Sequence, residues 1–178
     1  MMSRESNNTK SYGKGYPAFP AFLIILILII VGLLIPVRML IASDNMSDNP
    51  LKIWLIPVRD NFTVAHTHSV ELTEVKDIYQ IEGTDIILTE TIFSSYGAGL
   101  PATTDYPFEI TDQGFRIYDI NQTIDPLVYR TGAVRANHRL ILGDKEITFL
   151  DFSQPAQGVR LRTKMMPLIY YLTKEVFQ

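Results

Sequence analysis

The chain contains no cysteine, which excludes a disulfide scaffold, a cysteine-ligated metal site and a thiol nucleophile. It also lacks a basic excess, because 16 Lys and Arg stand against 19 Asp and Glu for a net charge of −3. Proteins that bind nucleic acids usually carry such an excess, so we expect no nucleic-acid partner. The 178 residues suffice for one domain of moderate size with a hydrophobic core.

Motifs of the common enzyme and nucleotide-binding classes are missing as well. The chain has no GxxxxGKS/T or GxGxxG loop for phosphates, no HExxH helix for zinc and no GxSxG turn for a nucleophilic serine. It shows no internal repeat of solenoid or propeller length. The sequence therefore names no reaction, and we expect no cofactor.

One apolar run dominates the N-terminal part of the chain. Residues 19 to 35 contain no charged side chain, and with their flanks they reach the length of a membrane-crossing helix. A weak basic excess precedes the run and predicts a cytoplasmic N-terminus: Arg4, Lys10 and Lys14 against Glu5. We therefore predict a single-pass transmembrane anchor over residues 18–38, located in the cell membrane with the lipid bilayer as a partner.

A cleaved signal peptide is the alternative interpretation of this run. The run is long for a signal peptide, and Leu40-Ile41-Ala42-Ser43 fits the small-x-small cleavage pattern poorly, so an uncleaved anchor is preferred. Residues 1–17 are polar and predict a disordered cytoplasmic tail. The turn-rich residues 39–50 predict a linker to an extracytoplasmic domain over residues 51–178.

Short apolar runs separated by turn residues fill the predicted outer domain. They predict strands over residues 51–58, 62–70, 75–81, 85–93, 114–120, 139–142, 146–152 and 159–165. Gly83 and Gly143 lie between such runs and predict tight hairpins. Residues 167–177 predict a short closing helix with Pro167 in its first turn. We therefore predict an all-β fold, an antiparallel β-sandwich or barrel-like domain behind the N-terminal helix.

Polar side chains of chemical interest are concentrated in residues 66 to 71, His-Thr-His-Ser-Val-Glu. Strand alternation predicts one shared, core-facing side for the following residues: Phe62, Val64, His66, His68 and Val70. Adjacent strand residues point to opposite faces, so His68 is poorly placed to take a proton from Ser69. Nucleophilic catalysis is therefore disfavoured here, unless a bulge changes the alternation.

Two imidazoles on one strand face can bind zinc if further ligands join them. Glu90 is a candidate third ligand beside His66 and His68 if it shares the core face with its apolar neighbours, and Glu71 and His138 are further candidates. The alternative is a structural role, in which a buried His68 bonds a carboxylate or carbonyl group. Without cysteine ligands or a second ligand cluster, the structural role is favoured.

A second distinctive segment covers residues 94–101, contains Tyr96-Gly97-Ala98-Gly99-Leu100-Pro101 and directly follows a predicted strand. Its two glycines would allow backbone N–H groups to converge on an anion. A turn that only redirects the chain is the alternative, and it is favoured because no helix is predicted after the segment. Tyr96 suits either a ligand rim or a partner contact.

These two segments, His68-Ser69-Val70-Glu71 and Tyr96-Gly97-Ala98-Gly99-Leu100-Pro101, together resemble the paired signatures of a small prokaryotic family called domain of unknown function 1850. The resemblance spans about residues 51 to 152 and includes Glu74 and Tyr79. Members of this family are typically encoded beside TAXI-type TRAP transporters, which take up solutes with an extracytoplasmic binding protein. The resemblance implies an accessory membrane protein near such a carrier and supplies no catalytic residues.

We therefore predict a non-catalytic accessory or interaction protein of a TAXI-type TRAP solute transport system, whose partners are the transporter subunits or the solute-binding protein. The predicted contact residues are His68, Ser69, Glu71, Glu90, Tyr96, Gly97, Gly99 and Pro101. The alternative function is an extracytoplasmic metal- or ligand-binding site, with hydrolysis as a variant, built on His66, His68, Glu71 and Glu90. In the metal form of this alternative, the ligands are His66, His68 and Glu90.

Overall fold

The computed structural model describes residues 18–56, 61–94, 104–112, 114–132 and 135–176. Within these ranges the chain forms two α-helices, α1 (Ala18–Leu34) and α2 (Leu168–Val176). The strands are β1 (Pro36–Asp44), β2 (Pro50–Leu55), β3 (Asn61–Thr67), β4 (Glu74–Glu82), β5 (Asp85–Phe93), β6 (Phe108–Thr111), β7 (Gly114–Ile117), β8 (Gln122–Thr123), β9 (Leu127–Arg130), β10 (Arg139–Leu142), β11 (Lys145–Thr148) and β12 (Gly158–Pro167). A 3-10 turn over Phe149–Asp151 follows β11.

The strands form two sheets. The smaller sheet has the order β2-β1-β12-β9, and the larger sheet has the order β11-β10-β3-β4-β5-β7-β6 with β8 paired to β5. The pairings between these described strands are antiparallel. Both sheets contribute to one buried cluster, for example through Leu40 and Leu161 of the smaller sheet and Val64 and Leu140 of the larger. The predicted all-β fold of antiparallel, sandwich-like sheets is confirmed.

Strand β1 differs from the sequence prediction, which ended the anchor at residue 38 and expected a linker over 39–50. The strand instead pairs with β12 along its whole length and with β2 on its other side. Met39 and Ile41 are buried on one face, and Leu40 and Ala42 are buried on the other. A strand buried on both faces carries a continuous apolar run, so this run looks like an extension of the preceding helix.

Helix α1 covers most of the predicted anchor but ends at Leu34. The end is explained by Pro36, because a proline disfavours helical backbone at the residue before it and cannot donate an N–H. The side chains from Phe22 to Val31 are 41–64% exposed. Across the described ranges, no helix combines the length and the apolar character that a membrane crossing requires, so the predicted transmembrane helix over residues 18–38 is not found there.

The two predicted hairpins are confirmed. Glu82 pairs with Asp85 and Leu142 pairs with Lys145, so each hairpin turns through two residues. Gly83, in the first turn, has φ 61°, and Gly143 in the second has φ 56°. Glycine adopts positive φ without the steric cost that a Cβ would bring, which explains why the turns occur at these positions.

Helix α2 confirms the predicted closing helix, although Pro167 ends β12 and does not open the helix. The Leu168 N–H donates to the Ile35 carbonyl oxygen at 3.0 Å, which connects the start of α2 to the end of α1. Tyr170 and Tyr171 pack on the buried cluster that β1 and β2 form on the outer face of the smaller sheet. α2 therefore helps to cover this face.

The sequence does not predict β6, β8 or β9. Each of these strands has only two to four residues. Four predicted strands also end earlier than expected: β2 at Leu55, β3 at Thr67, β7 at Ile117 and β11 at Thr148. The early end of β3 changes the geometry of the candidate site.

Candidate functional site

The His-Ser-Val-Glu motif forms a turn after β3. The His68 N–H donates to the Thr73 carbonyl at 2.8 Å, and the Leu72 N–H donates to the His68 carbonyl at 3.0 Å. His68 Nδ1 accepts the backbone N–H of Glu71 at 3.2 Å and that of Val70 at 3.4 Å. The prediction that the strand continues to Val70 is therefore wrong, and Val70 is 63% exposed. The imidazole offers the backbone a local hydrogen-bond partner, and such a partner competes with continued strand pairing.

The predicted contact residues of this motif take different positions. Ser69 is exposed in the turn, while Glu71 is half-buried and uses its backbone N–H to hold the His68 ring. Because His68 Nδ1 already accepts backbone N–H groups, this nitrogen stabilises the turn. The sequence analysis expected a buried His68 that bonds a carboxylate or carbonyl group, whereas the ring is half-buried and its partners are backbone N–H groups of the turn.

His66 lies on the inner face of the larger sheet and stacks on His138, with ring centroids 5.3 Å apart and planes inclined by 17°. The His138 Nδ1 accepts the Gly132 N–H at 3.3 Å. Burial, followed by the neighbouring His66, lowers the pKa of His138 to about 4. Burial also lowers the pKa of His66, more than the negative charge of Asp77 raises it. Both rings are therefore neutral at neutral pH.

A chain of hydroxyl groups beside the two histidines connects the sheets. Tyr129 of β9 donates its hydroxyl to Asp77 Oδ2 of β4 at 2.8 Å. The Tyr79 hydroxyl lies 2.5 Å from the Tyr129 hydroxyl and must be the donor, since Tyr129 gives its proton to Asp77. Thr91 donates to the other carboxylate oxygen, Asp77 Oδ1, at 3.0 Å. The Asp77 carboxylate therefore accepts two hydroxyl hydrogen bonds, one on each oxygen.

Both tyrosines remain protonated in this arrangement. Burial raises the pKa of Tyr79, and the negative charge of Asp77 raises it further. The same two causes, in the same order, raise the pKa of Tyr129. The hydroxyl groups therefore act as fixed hydrogen-bond donors, and a phenolate nucleophile or base is not available here.

An open cavity of about 480 Å³ lies beside His66, His68 and Asp77. Its polar lining comes from His66, His68, Asp77, Thr91, Thr104, Tyr106 and Gln122. Its apolar lining comes from Val75, Leu88, Ile117 and Ile120. A concave, mostly apolar space with a few converging polar groups is the usual form of a small-molecule site.

Glu90 does not join this site. A β-bulge at Thr89 places Leu88 opposite Tyr79 and Glu90 opposite Ile78, so the alternation shifts by one residue after Leu88. Thr89 fills the bulge and donates its hydroxyl to the Ile78 carbonyl at 3.1 Å. Leu88 and Thr91 consequently face the cavity, while Glu90 faces the other side of the sheet.

On that outer face, Glu90 forms a bidentate pair with Arg116, with both N–O distances at 2.7 Å. Arg116 also donates to Glu109 at 2.6 Å. The suggested metal ligands His66, His68 and Glu90 therefore do not come together. Among the residues that the structure describes, no group of three His, Asp or Glu side chains is arranged to hold a metal ion.

The Tyr-Gly-Ala-Gly-Leu-Pro segment, with the predicted contact residues Tyr96, Gly97, Gly99 and Pro101, lies outside the described residues. Ser94 precedes the segment at the end of β5, and Thr104 and Tyr106 follow it in sequence. Thr104 and Tyr106 line the cavity. Thr104 and Tyr106, which follow the Tyr-Gly-Ala-Gly-Leu-Pro segment, therefore lie at the same cavity as His68 of the His-Ser-Val-Glu motif.

The sequence-based search for site residues does not identify Asp77, Thr91 or Tyr129. One signal was available, because Asp77 occupies a core-facing position of β4 between the buried Val75 and Tyr79. A carboxylate at such a position is unusual and points to a specific partner. No comparable signal exists for Tyr129, whose contact with Asp77 depends on how the two sheets pack.

The comparisons with known proteins support the family indicated by the motifs. The comparison with curated proteins and the comparison with solved structures found no match. Residues 62–149, about half of the chain, match the family model described as Domain of unknown function (DUF1850). The matched part contains the His68 turn, Asp77, Tyr129 and His138, so it includes most of the candidate site. Residues 62–149 are therefore similar to the DUF1850 family.

Proposed function

We propose that this protein is a membrane-tethered, non-catalytic binding module and an accessory protein of a TAXI-type TRAP solute transport system. The tether is α1, and the β-domain lies on the extracytoplasmic side. The partners are the bilayer and either the transporter subunits or the solute-binding protein. The link to the transporter rests on the family resemblance, whereas the membrane tether and the binding role rest on the residues described here.

The exposed apolar surface of α1 is the observation that carries the proposal. The helix has no charged residue, and ten consecutive side chains from Phe22 to Val31 are each at least 41% exposed. Met165, Ile169 and Leu172 add exposed apolar surface at the α2 end of the domain, which contacts α1. Apolar surface of this extent is unfavourable in water and favourable in hydrocarbon.

The orientation follows from the flanking charges. Residues 1–17 contain three basic side chains against one acidic side chain, and basic residues are retained on the cytoplasmic side. The β-domain then lies outside the cytoplasm, where a solute-binding protein would meet it.

A non-catalytic role agrees with the chemistry of the site. His68 Nδ1 accepts two backbone N–H groups, and the Asp77 carboxylate accepts two hydroxyl groups. The His66 and His138 rings stack on each other. These contacts hold the side chains in place and give the cavity a fixed shape, as a binding module requires.

The tether can be tested by fractionating membranes that contain the full chain. Replacing Ile25 and Ile29 together by Arg places two charges in the middle of α1, at a cost of about 5 to 7 kcal/mol for insertion. We expect this variant to leave the membrane fraction, while the matched Ile25→Leu, Ile29→Leu variant remains. If the arginine variant stayed in carbonate-washed membranes, α1 would not be the membrane tether.

The transporter association is tested by co-purification from native membranes. The full chain, extracted in mild detergent, should bring down TAXI carrier components, whereas the Arg variant should recover none. An extract of the wild-type chain that contains no carrier component would contradict the accessory role and leave the tether unaffected.

Ligand binding in the cavity is a second candidate function, and the volume of about 480 Å³ beside His66 and His68 favours it. This is the ligand-binding form of the alternative that the sequence suggested. It requires a different residue set, because Glu90 faces away and Asp77 takes its place at the cavity.

A further inference from the structure

Asp77 has an unusual electrostatic environment for a carboxylate in the middle of a sheet. It is half-buried on the central strand β4 and lines the cavity. Its two oxygens accept hydroxyl groups from Tyr129 and Thr91, both of which are neutral donors. Within the described ranges, the ion pairs formed by Lys and Arg side chains do not include Asp77.

The neighbouring groups do not supply a positive charge. His66 and His138 are held neutral, because burial lowers the pKa of each. The undescribed residues 95–103, which connect Ser94 to the cavity-lining Thr104, contain neither Lys nor Arg. The Asp77 carboxylate therefore lies at the cavity without a cationic partner from these parts of the chain.

A partly desolvated charge without an opposite charge is costly, and a cation in the cavity would offset that cost. A carboxylate can accept about four hydrogen bonds, so Asp77 has capacity beyond its two hydroxyl donors. His66 Nδ1, at the same place, is buried without a hydrogen-bond partner among the described residues. The unused acceptor capacity of Asp77 favours a ligand that carries donors and a positive charge.

The remaining wall of the cavity restricts the rest of the ligand. Val75, Leu88, Ile117 and Ile120 are apolar, and the Tyr106 ring is 42% exposed at the same site. Such a wall suits a hydrocarbon or aromatic group and does not suit a strongly hydrated one. The volume of about 480 Å³ is large enough for a small organic molecule.

We propose that this cavity binds a small organic cation, an ammonium group on an apolar body, with Asp77 as its counter-ion. The inference rests on the ligand-binding role proposed above and names the chemical class of the ligand. Charge-assisted hydrogen bonds to the carboxylate give the selectivity, and the apolar wall gives the contact area.

Three probes of the same size and different charge test this inference: benzylamine, benzyl alcohol and benzoate. The full chain in detergent micelles is labelled at isoleucine methyl groups, and each probe is titrated by NMR. Ile117 and Ile120 report the cavity, and Ile141 on β10, outside its lining, serves as the internal control. We expect benzylamine to bind about tenfold or more tightly than the other two probes.

Asp77→Asn removes the charge and keeps an oxygen that can accept the Tyr129 hydroxyl. We expect this variant to lose the preference for benzylamine. Glu82→Gln is the matched control, because it removes an exposed carboxylate from the same strand, and it should bind like the wild type. Ile120→Trp fills the cavity without changing charge, and it should weaken benzylamine binding even if the Asp77 variant does not fold.

The possible results distinguish ligand binding in the cavity from the preference for a cation. If benzyl alcohol or benzoate moved the Ile117 and Ile120 signals at the same concentration as benzylamine, the cation class would be wrong and ligand binding would stand. If none of the probes moved these signals, ligand binding in the cavity would be overturned together with the inference. Unchanged benzylamine binding by folded Asp77→Asn would remove Asp77 as the counter-ion.

Discussion

The pH dependence of stability tests how His138 is held in the fold. Its side chain is 9% exposed and has a pKa of about 4, against an ordinary value of 6.5. Between these values the unfolded chain binds more protons than the folded chain, so stability is present above pH 6.5 and is lost as the pH falls toward 4. From these two pKa values, His138 accounts for a loss of about 2 kcal/mol between about pH 7.5 and about pH 5. His66 acts in the same direction, because its pKa is also lowered.

The described carboxylates with lowered pKa values contribute little to the change in stability between about pH 7.5 and about pH 5. Asp44, Asp48 and Glu74 have ordinary pKa values of 3.8 to 4.5, so the stability they contribute is lost only at lower pH. The assay is chemical denaturation of the full chain in micelles at both pH values, followed by the fluorescence of Trp54, the one tryptophan of the chain.

His138→Phe keeps an aromatic ring in the stack and removes the titrating group. It also loses the bond from the Gly132 N–H, which costs about 1 kcal/mol at both pH values. We expect the loss between the two pH values to shrink by about 2 kcal/mol. Phe149→Leu alters the neighbouring ring, 5.6 Å from His138, and should lower stability equally at both pH values. A His138→Phe chain with the pH dependence of the wild type would refute the reasoning.

Three further predictions concern the two sheets. Tyr129→Phe removes the hydroxyl that joins the sheets and leaves the Tyr79 hydroxyl without its acceptor. Urea titration should show that the free energy of unfolding falls by about 1 to 3 kcal/mol, against about 1 kcal/mol for Tyr79→Phe. A larger loss for Tyr79→Phe would contradict the donor direction. Gly114→Ala should lower the thermal midpoint clearly, because φ is 121° and an added Cβ would lie 2.5 Å from the Phe93 carbonyl oxygen. Glu90→Gln alters the outer face, so benzylamine titration should match the wild type, and weaker binding would place Glu90 at the ligand.

Features that depend on a few neighbouring residues could be predicted from the sequence. Gly83 and Gly143 mark both hairpins because positive φ is a local requirement. Most of the strands follow from apolar runs of sufficient length, and α2 follows from the apolar spacing after Pro167. The similarity to the DUF1850 family was indicated by the two motifs, which are also local in sequence.

The positions of Glu90 and His68 could not be predicted in the same way. A single extra residue at Thr89 reverses the alternation, and nothing in the pattern from Asp85 to Phe93 marks where the bulge occurs. His68 leaves the strand because the backbone forms a turn around its ring, although the alternation of Val64 and His66 continues through it. The sequence therefore identified chemically relevant residues without placing them on the correct face.

The amino-acid sequence by itself determined the strand-rich fold, the turns and the uncharged apolar helix, because side-chain alternation, glycine and charge act within a few residues. Only the tertiary structure decided which polar groups meet. Asp77 and Tyr129 are 52 positions apart and belong to different sheets, and His66 meets His138 through the pairing of β3 with β10. Contacts of this kind depend on how whole strands and sheets pack, so no short segment of the sequence contains them.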